Sequence, residues 1–301
     1  MQYDVLNESA QSENQIRLSS ITAISAIYFA LLQYGYEYFA PERSQSHITC
    51  IRHFAGANDI PSFFAGVKQD TCDVYPYWPR AAILETASFY LLPDFSDFRD
   101  YAGLKDRIMS AANLSDHERD QNLWNWLADF PSALSKTLEK DTFLRYFEWE
   151  QKWLSEQSAQ YENELQIMKN CLNVCVSKYD SSVQEIKLVI SPIKCIYSAD
   201  YHLYGNRFVF VSGAFRVDSV IHEFLHHVVH PVVTKIKDLI LFSKGSYAGI
   251  DASYYLTGND MGQLNAFEEY AVRTLTTDIT AERYPDNLSE YLQCLAKSSL
   301  K

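Results

Sequence analysis

The five residues His222-Glu223-Phe224-Leu225-His226 constrain the fold of this chain more than any other stretch. On an α-helix, positions i and i+4 differ by about 40° and one turn, so both imidazoles project from one face and can hold a single metal ion. The pattern therefore commits this segment to a helix with one polar stripe. Glu223 adjoins the first imidazole and reaches a water activated by the metal rather than the metal itself, which makes it the expected proton shuttle. Zinc is the expected ion, because it lowers the pKa of water towards about 7 and polarises a substrate carbonyl. The surrounding V-I-H-E-F-L-H-H-V-V-H-P, Val220 to Pro231, holds four of the chain's eight histidines. Asp218 is the expected N-cap, and Pro231 should interrupt or kink the helix. The competing reading is a helix whose histidines only pack and satisfy neighbours; chance produces the pattern in about one chain in a hundred of this histidine content.

A site with two histidines needs a third protein ligand and leaves the fourth position open. The three-histidine pattern H-E-x-x-H-x-x-G-x-x-H would place its glycine and last histidine at Val229 and Val232, which excludes that variant. His230 lies two turns, about 12 Å, along the helix from His222, and His227 points about 100° away from His226, so both fall off the site. They are expected at the helix end or as outer partners of the ligands. The remaining ligand must come from a later helix. N-A-F-E-E-Y-A-V-R-T-L-T, Asn265 to Thr276, offers Glu268 and Glu269 inside an otherwise apolar face. Arg273, one turn beyond Glu269, is well placed to orient a ligating carboxylate, which favours Glu269 and leaves Glu268 as its rival. Without a metal, Glu269 and Arg273 would be an ordinary i,i+4 ion pair.

Composition narrows the partners. Lys+Arg 26 against Asp+Glu 38 gives a formal net charge of -12, the wrong sign for gripping nucleic acid or an anionic membrane surface. A peptide or protein substrate is expected instead, with no nucleic-acid or membrane partner. Six cysteines, Cys50, Cys72, Cys171, Cys175, Cys195 and Cys294, are too few for a disulfide scaffold. Cys171 and Cys175 should share a helix face and pack rather than bind metal. The longest apolar run, Ile21 to Leu32, is broken by Gln33 and Gly35 and falls short of the roughly 20 residues of a membrane span, so it reads as a buried helix. The first fifteen residues lack the basic start and apolar core of a secretory signal, and a cytoplasmic location is expected.

Along the chain, residues 1–184 read as a helical region, with helices from Arg80 and over Thr142 to Lys178, the latter as one helix or two. Residues 185–301 carry the site. They open on β-branched and aromatic runs, I-K-L-V-I-S-P-I, C-I-Y-S-A-D-Y-H-L-Y and R-F-V-F-V, that predict a small sheet. Helices follow from Asp218, at about Val232 to Phe242, Gln263 to Asp278 and Asn287 to Lys297. The expected class is mainly α (α+β), with a small mixed sheet and an active-site helix, the two regions forming separate or continuous domains. R-F-V-F-V, just before the metal helix, is either an edge strand on which a peptide could lie or an internal strand. Tyr254, Tyr255 and Tyr270 are candidates for stabilising an oxyanion.

H-E-F-L-H-H-V-V-H-P resembles the signature helix of a family of bacterial zincin-like proteins of unassigned function, which reads His-Glu-Phe-Ser-His, then small or apolar residues and Asn-Pro. E-Y-A-V-R, Glu269 to Arg273, resembles the Glu-Tyr-x-Val-Arg-like segment found downstream in such proteins. The resemblance spans about Ile186 to Thr276. It implies a zincin-like core of the gluzincin type, a zinc metallopeptidase with His222, His226 and Glu269 as ligands and Glu223 as general base. This chain departs from the pattern at Leu225, where serine is usual, and at His230, where asparagine precedes the proline. Thermolysin-like gluzincins carry an aspartate one turn after the glutamate, where this chain has Arg273. The alternative function is a non-catalytic zincin-fold module that binds metal or a partner; a metal-dependent hydrolase of non-peptide amides is a third.

Overall fold

The computed structural model describes residues 17–35, 51, 54, 60–67, 80–112, 117–194, 199–243, 247, 249–250 and 259–298. In chain order the elements are β1 (Leu18–Ser19), α1 (Thr22–Gln33), a 3-10 helix (Ser62–Gly66), α2 (Arg80–Ser88), α3 (Tyr101–Ala112), α4 (His117–Ala128), α5 (Phe130–Leu138), α6 (Asp141–Gln160), α7 (Glu162–Lys178), β2 (Glu185–Ile190), β3 (Ala199–Tyr204), β4 (Arg207–Ser212), α8 (Val217–Lys235), α9 (Lys237–Ser243), α10 (Asn259–Thr280) and α11 (Leu288–Ser298). The protein is mainly helical with a small mixed sheet, the expected α+β class. Two compact units divide the chain, the first made of 1–160, 187–204 and 211–214 and the second of 161–186, 205–210 and 215–301.

In the first unit, α1 is buried from Ala23 to Leu32, as a helix apolar on nearly all sides must be. Among the described residues no helix is long and apolar enough to cross a membrane. Phe29 stacks on Tyr146, with ring centroids 4.9 Å apart, and meets Phe143 edge-on at 5.8 Å. Pro131 sits in the first turn of α5, where its missing N–H costs nothing. The Thr142 to Lys178 segment is two helices, α6 and α7, with Tyr161 between them outside helical geometry. Glu150 on α6 is fully buried; Ser25 Oγ and Tyr146 Oη donate to it at 2.5 and 2.8 Å. Burial pushes its carboxyl up to about 7, against the pull of those two hydroxyls.

A second buried carboxylate in this unit is differently served. Glu85 on α2 accepts from Tyr28 Oη, from Lys194 Nζ at 2.7 Å and from His202 Nε2 at 3.1 Å. Lys194 also donates to Tyr28 Oη at 2.9 Å and to Asp200 Oδ2 at 2.5 Å. Asp200 and His202, two apart on β3, thereby tie that strand to α2. Burial works against the Glu85 charge, but Lys194 and His202 win and hold its carboxyl down to about 2.

The sheet has the order β1-β2-β4-β3, with β1 parallel to β2 and Leu18 opposite Leu188. Of the two readings of R-F-V-F-V, edge or internal, the internal one holds: among the described residues the edges are β1 and β3. β4 is buried from Phe208 to Ser212, so both faces of the sheet are covered along this strand. Gly205, at φ +61°, and Asn206 make the tight turn into β4; a side chain there would meet no neighbour, so the backbone angle is what favours glycine.

In the second unit, α8 turns Val220, Ile221, Phe224, Leu225, Val228, Val229 and Val233 inward. Phe224 meets Phe208 edge-on at 5.4 Å. Asp218 is not the N-cap; Arg216 holds that position and Asp218 lies in the first turn, bound by the Arg216 guanidinium at 2.7 Å. Pro231 does not end the helix, which runs to Lys235, and the segment expected as a separate helix from Val232 belongs in its first part to α8. Within this unit α8 packs chiefly against α10, and also against α7 and α11.

Candidate metal centre

The inward face of α8 leaves a stripe of His222, Glu223 and His226 half-buried. α10 lies along that stripe and buries Phe267, Ala271, Val272 and Leu275, and between them it carries the buried Glu269. His222 Nε2 and His226 Nε2 stand 3.3 Å apart. Glu269 Oε2 lies 3.6 Å from the first and 3.4 Å from the second. Tetrahedral zinc with ligands at about 2.0–2.1 Å sets its donor atoms about 3.3–3.4 Å apart. Among the described residues this is the one group of three or more His, Cys, Asp or Glu side chains whose donor atoms converge in this way.

The donor chemistry fits as well as the distances. The second nitrogen of His226, Nδ1, donates to Glu268 Oε1 at 3.0 Å, so a neutral His226 presents its lone pair at Nε2. Three electron-rich atoms thus face one point, and only a cation or a proton there makes the arrangement favourable. In the metal-free chain a proton takes that place. Burial alone would lower the His226 pKa, yet hydrogen bonds to Glu268 and Glu269, with the Glu223 charge nearby, push it up to about 10. Burial likewise opposes the Glu269 charge, and His222 and His226 overcome it to hold the carboxyl well below the usual range.

Those residues singled out in the sequence that are described each have a definite place. Glu269 joins His222 and His226, and its other oxygen, Oε1, accepts from Arg273 Nε at 2.6 Å. Arg273 is anchored in turn on the Gly249 carbonyl at 2.9 Å. Glu268 does not join the three; it lies on the far edge of the His226 ring. Glu223 is half-buried beside His222. His227 is off the site, with Nε2 3.1 Å from Ser181 Oγ, and burial lowers its pKa. Tyr270 stacks on Tyr247 at 5.4 Å. Tyr254 and Tyr255, like Cys50, Cys72 and Cys195, lie outside the described residues. Cys171 and Cys175 are buried on α7, and burial, helped by Cys171, pushes the Cys175 thiol up to about 12, so this pair packs.

Sequence reasoning, which put His230 at the helix end or among the outer partners of the ligands, missed its link to Glu268, to whose Oε2 its Nδ1 donates at 2.8 Å. Its spacing of four from His226 was the available signal. It also missed the Glu85 cluster, whose one trace is a lone acid in the apolar run R-A-A-I-L-E-T-A-S. Searches of family models, of curated proteins and of solved structures find no match to this chain.

Proposed function

We propose that this chain is a zinc-dependent metallopeptidase that hydrolyses peptide bonds of a peptide or protein substrate. The observation that carries the reading is the convergence of His222 Nε2, His226 Nε2 and Glu269 Oε2 within tetrahedral spacing, with the Glu223 carboxylate one residue from the first ligand. The resemblance of H-E-F-L-H and E-Y-A-V-R to zincin-like segments supports it. When bound, zinc would activate a water and polarise the scissile carbonyl. Glu223 takes a proton from the attacking water on its carboxylate and passes it to the leaving amine. Arg273 fixes the rotation of Glu269, so that Oε2 stays turned to the metal position while Oε1 is occupied.

The test is metal content by elemental analysis together with mass spectrometry of a peptide mixture. The wild type should carry one zinc per chain and cleave; Glu223→Gln should keep the zinc and lose cleavage by about 10²-fold or more. His222→Ala should lose the zinc. Full zinc content in His222→Ala, or iron in place of zinc in the wild type, would sink the assignment. A zinc-loaded wild type that cleaves nothing would favour the non-catalytic module.

A further inference from the structure

Building on the metal reading above, we propose that Glu268 is a positioning residue for His226, and that His230 locks it in place. α10 presents two consecutive carboxylates to α8, and they grip opposite edges of one imidazole. Glu269 Oε2 lies 3.4 Å from His226 Nε2, and Glu268 Oε1 accepts from His226 Nδ1 at 3.0 Å. The ring cannot turn over about its Cβ–Cγ bond without losing the Glu268 contact, so the nitrogen facing the metal position is fixed. The proton on Nδ1 is fixed with it, which reserves the Nε2 lone pair for the metal.

A carboxylate performs this task only if it is itself held. Glu268 has a side chain 15% exposed, and both of its oxygens are bonded to imidazoles one turn apart on α8. His230 supplies the second bond, at 2.8 Å from Oε2, with its own side chain 66% exposed. It sits two turns from His222, out of reach of the metal position but in reach of the group that orients His226. Glu268 therefore acts through His226 and touches no reacting atom, and the two neighbouring glutamates, equivalent in sequence, divide into a ligand and an orienting group.

Zinc affinity, measured by competition with a chromophoric chelator, and the visible spectrum of the cobalt(II)-loaded protein test this. Glu268→Ala should still take up one metal but bind zinc about 10- to 100-fold more weakly, with altered cobalt bands. Glu268→Gln keeps an oxygen that accepts from His226 Nδ1, so it should recover most of the affinity and the wild-type bands. His230→Ala should weaken binding by less than Glu268→Ala does. Should Glu268→Ala fail to fold, the Gln and His230 variants carry the test. If the wild type binds one zinc and Glu268→Ala binds it equally tightly, or Glu268→Gln is as weak as Glu268→Ala, the positioning role is overturned while the metal reading stands. A wild type that takes up no zinc overturns both.

Discussion

Two clusters of histidine and glutamate are built into this chain, and their residue types barely distinguish them. Around Glu85, every strong acceptor meets a donor: Oε1 takes Tyr28 and Lys194, Oε2 takes His202, and the three Lys194 protons go to Glu85, Tyr28 and Asp200. Around Glu269, His222 Nε2, His226 Nε2 and Glu269 Oε2 converge within 3.3–3.6 Å on one point, which a proton fills in the metal-free chain. The first cluster is closed, satisfied by its own side chains; the second is open and, on the metal reading proposed above, can exchange its proton for a cation. Counting donors against acceptors separates a structural network from a candidate site where composition does not.

The largest effect should come from opening the closed cluster. Lys194→Met leaves the Glu85 carboxylate buried against Tyr28 and His202 with its main countercharge gone. A loss of about 3–5 kcal/mol of stability follows, read by chemical denaturation. His222→Ala in the metal-free protein removes one half-buried member of a group that keeps His226 and Arg273 as partners for Glu269, and should cost far less. Equal losses for the two substitutions would erase the distinction drawn between the clusters.

The sequence revealed the open cluster and hid the closed one for a physical reason. Two of its three donors sit on one helix at a fixed spacing of four, and that spacing is local information. The choice between Glu268 and Glu269 is not local, because consecutive residues on α10 differ only in rotation and the packing of α10 on α8 decides which one enters; Arg273 was the sole hint. The partners of Glu85 lie 57, 109 and 117 residues away, and no periodicity links them. For β4, the run R-F-V-F-V contains a clue to its internal position. Its near-continuous apolar character suits a strand covered on both faces better than an alternating edge.

Buried carboxyls with unlike partners should also respond to pH in opposite senses. Glu150 has only hydroxyls for company, and its folded pKa is raised to about 7 from an unfolded value near 4.5. Its contribution is therefore complete below about pH 4.5 and fades as pH rises to 7, by about 3 kcal/mol. Glu85 is depressed to about 2, so its contribution is complete above about 4.5 and fades as pH falls towards 2. Denaturation across pH 5–8 should show the falling limb, and Glu150→Gln should flatten it and exceed wild-type stability at pH 8. A Glu150→Gln protein that keeps the same slope would show that the carboxyl is ionised in the folded state.

Zinc itself gives the most direct contrast. A ligand that binds only the folded chain stabilises it by about 2.7 kcal/mol at a hundredfold excess over Kd. Hydrogen exchange should register that increment as slower opening of α8 and α10, the helices that carry the three donors. Glu269→Gln replaces the charged donor by a neutral amide and should abolish most of the increment, because an amide oxygen neutralises none of the metal's charge. Glu268→Gln should retain most of it, since its oxygen still accepts from His226 Nδ1. The two substitutions are chemically identical and one residue apart, so any difference between them measures which carboxylate faces the cation. Equal loss from both would mean that negative charge near α8, rather than the aim of one oxygen, attracts the metal.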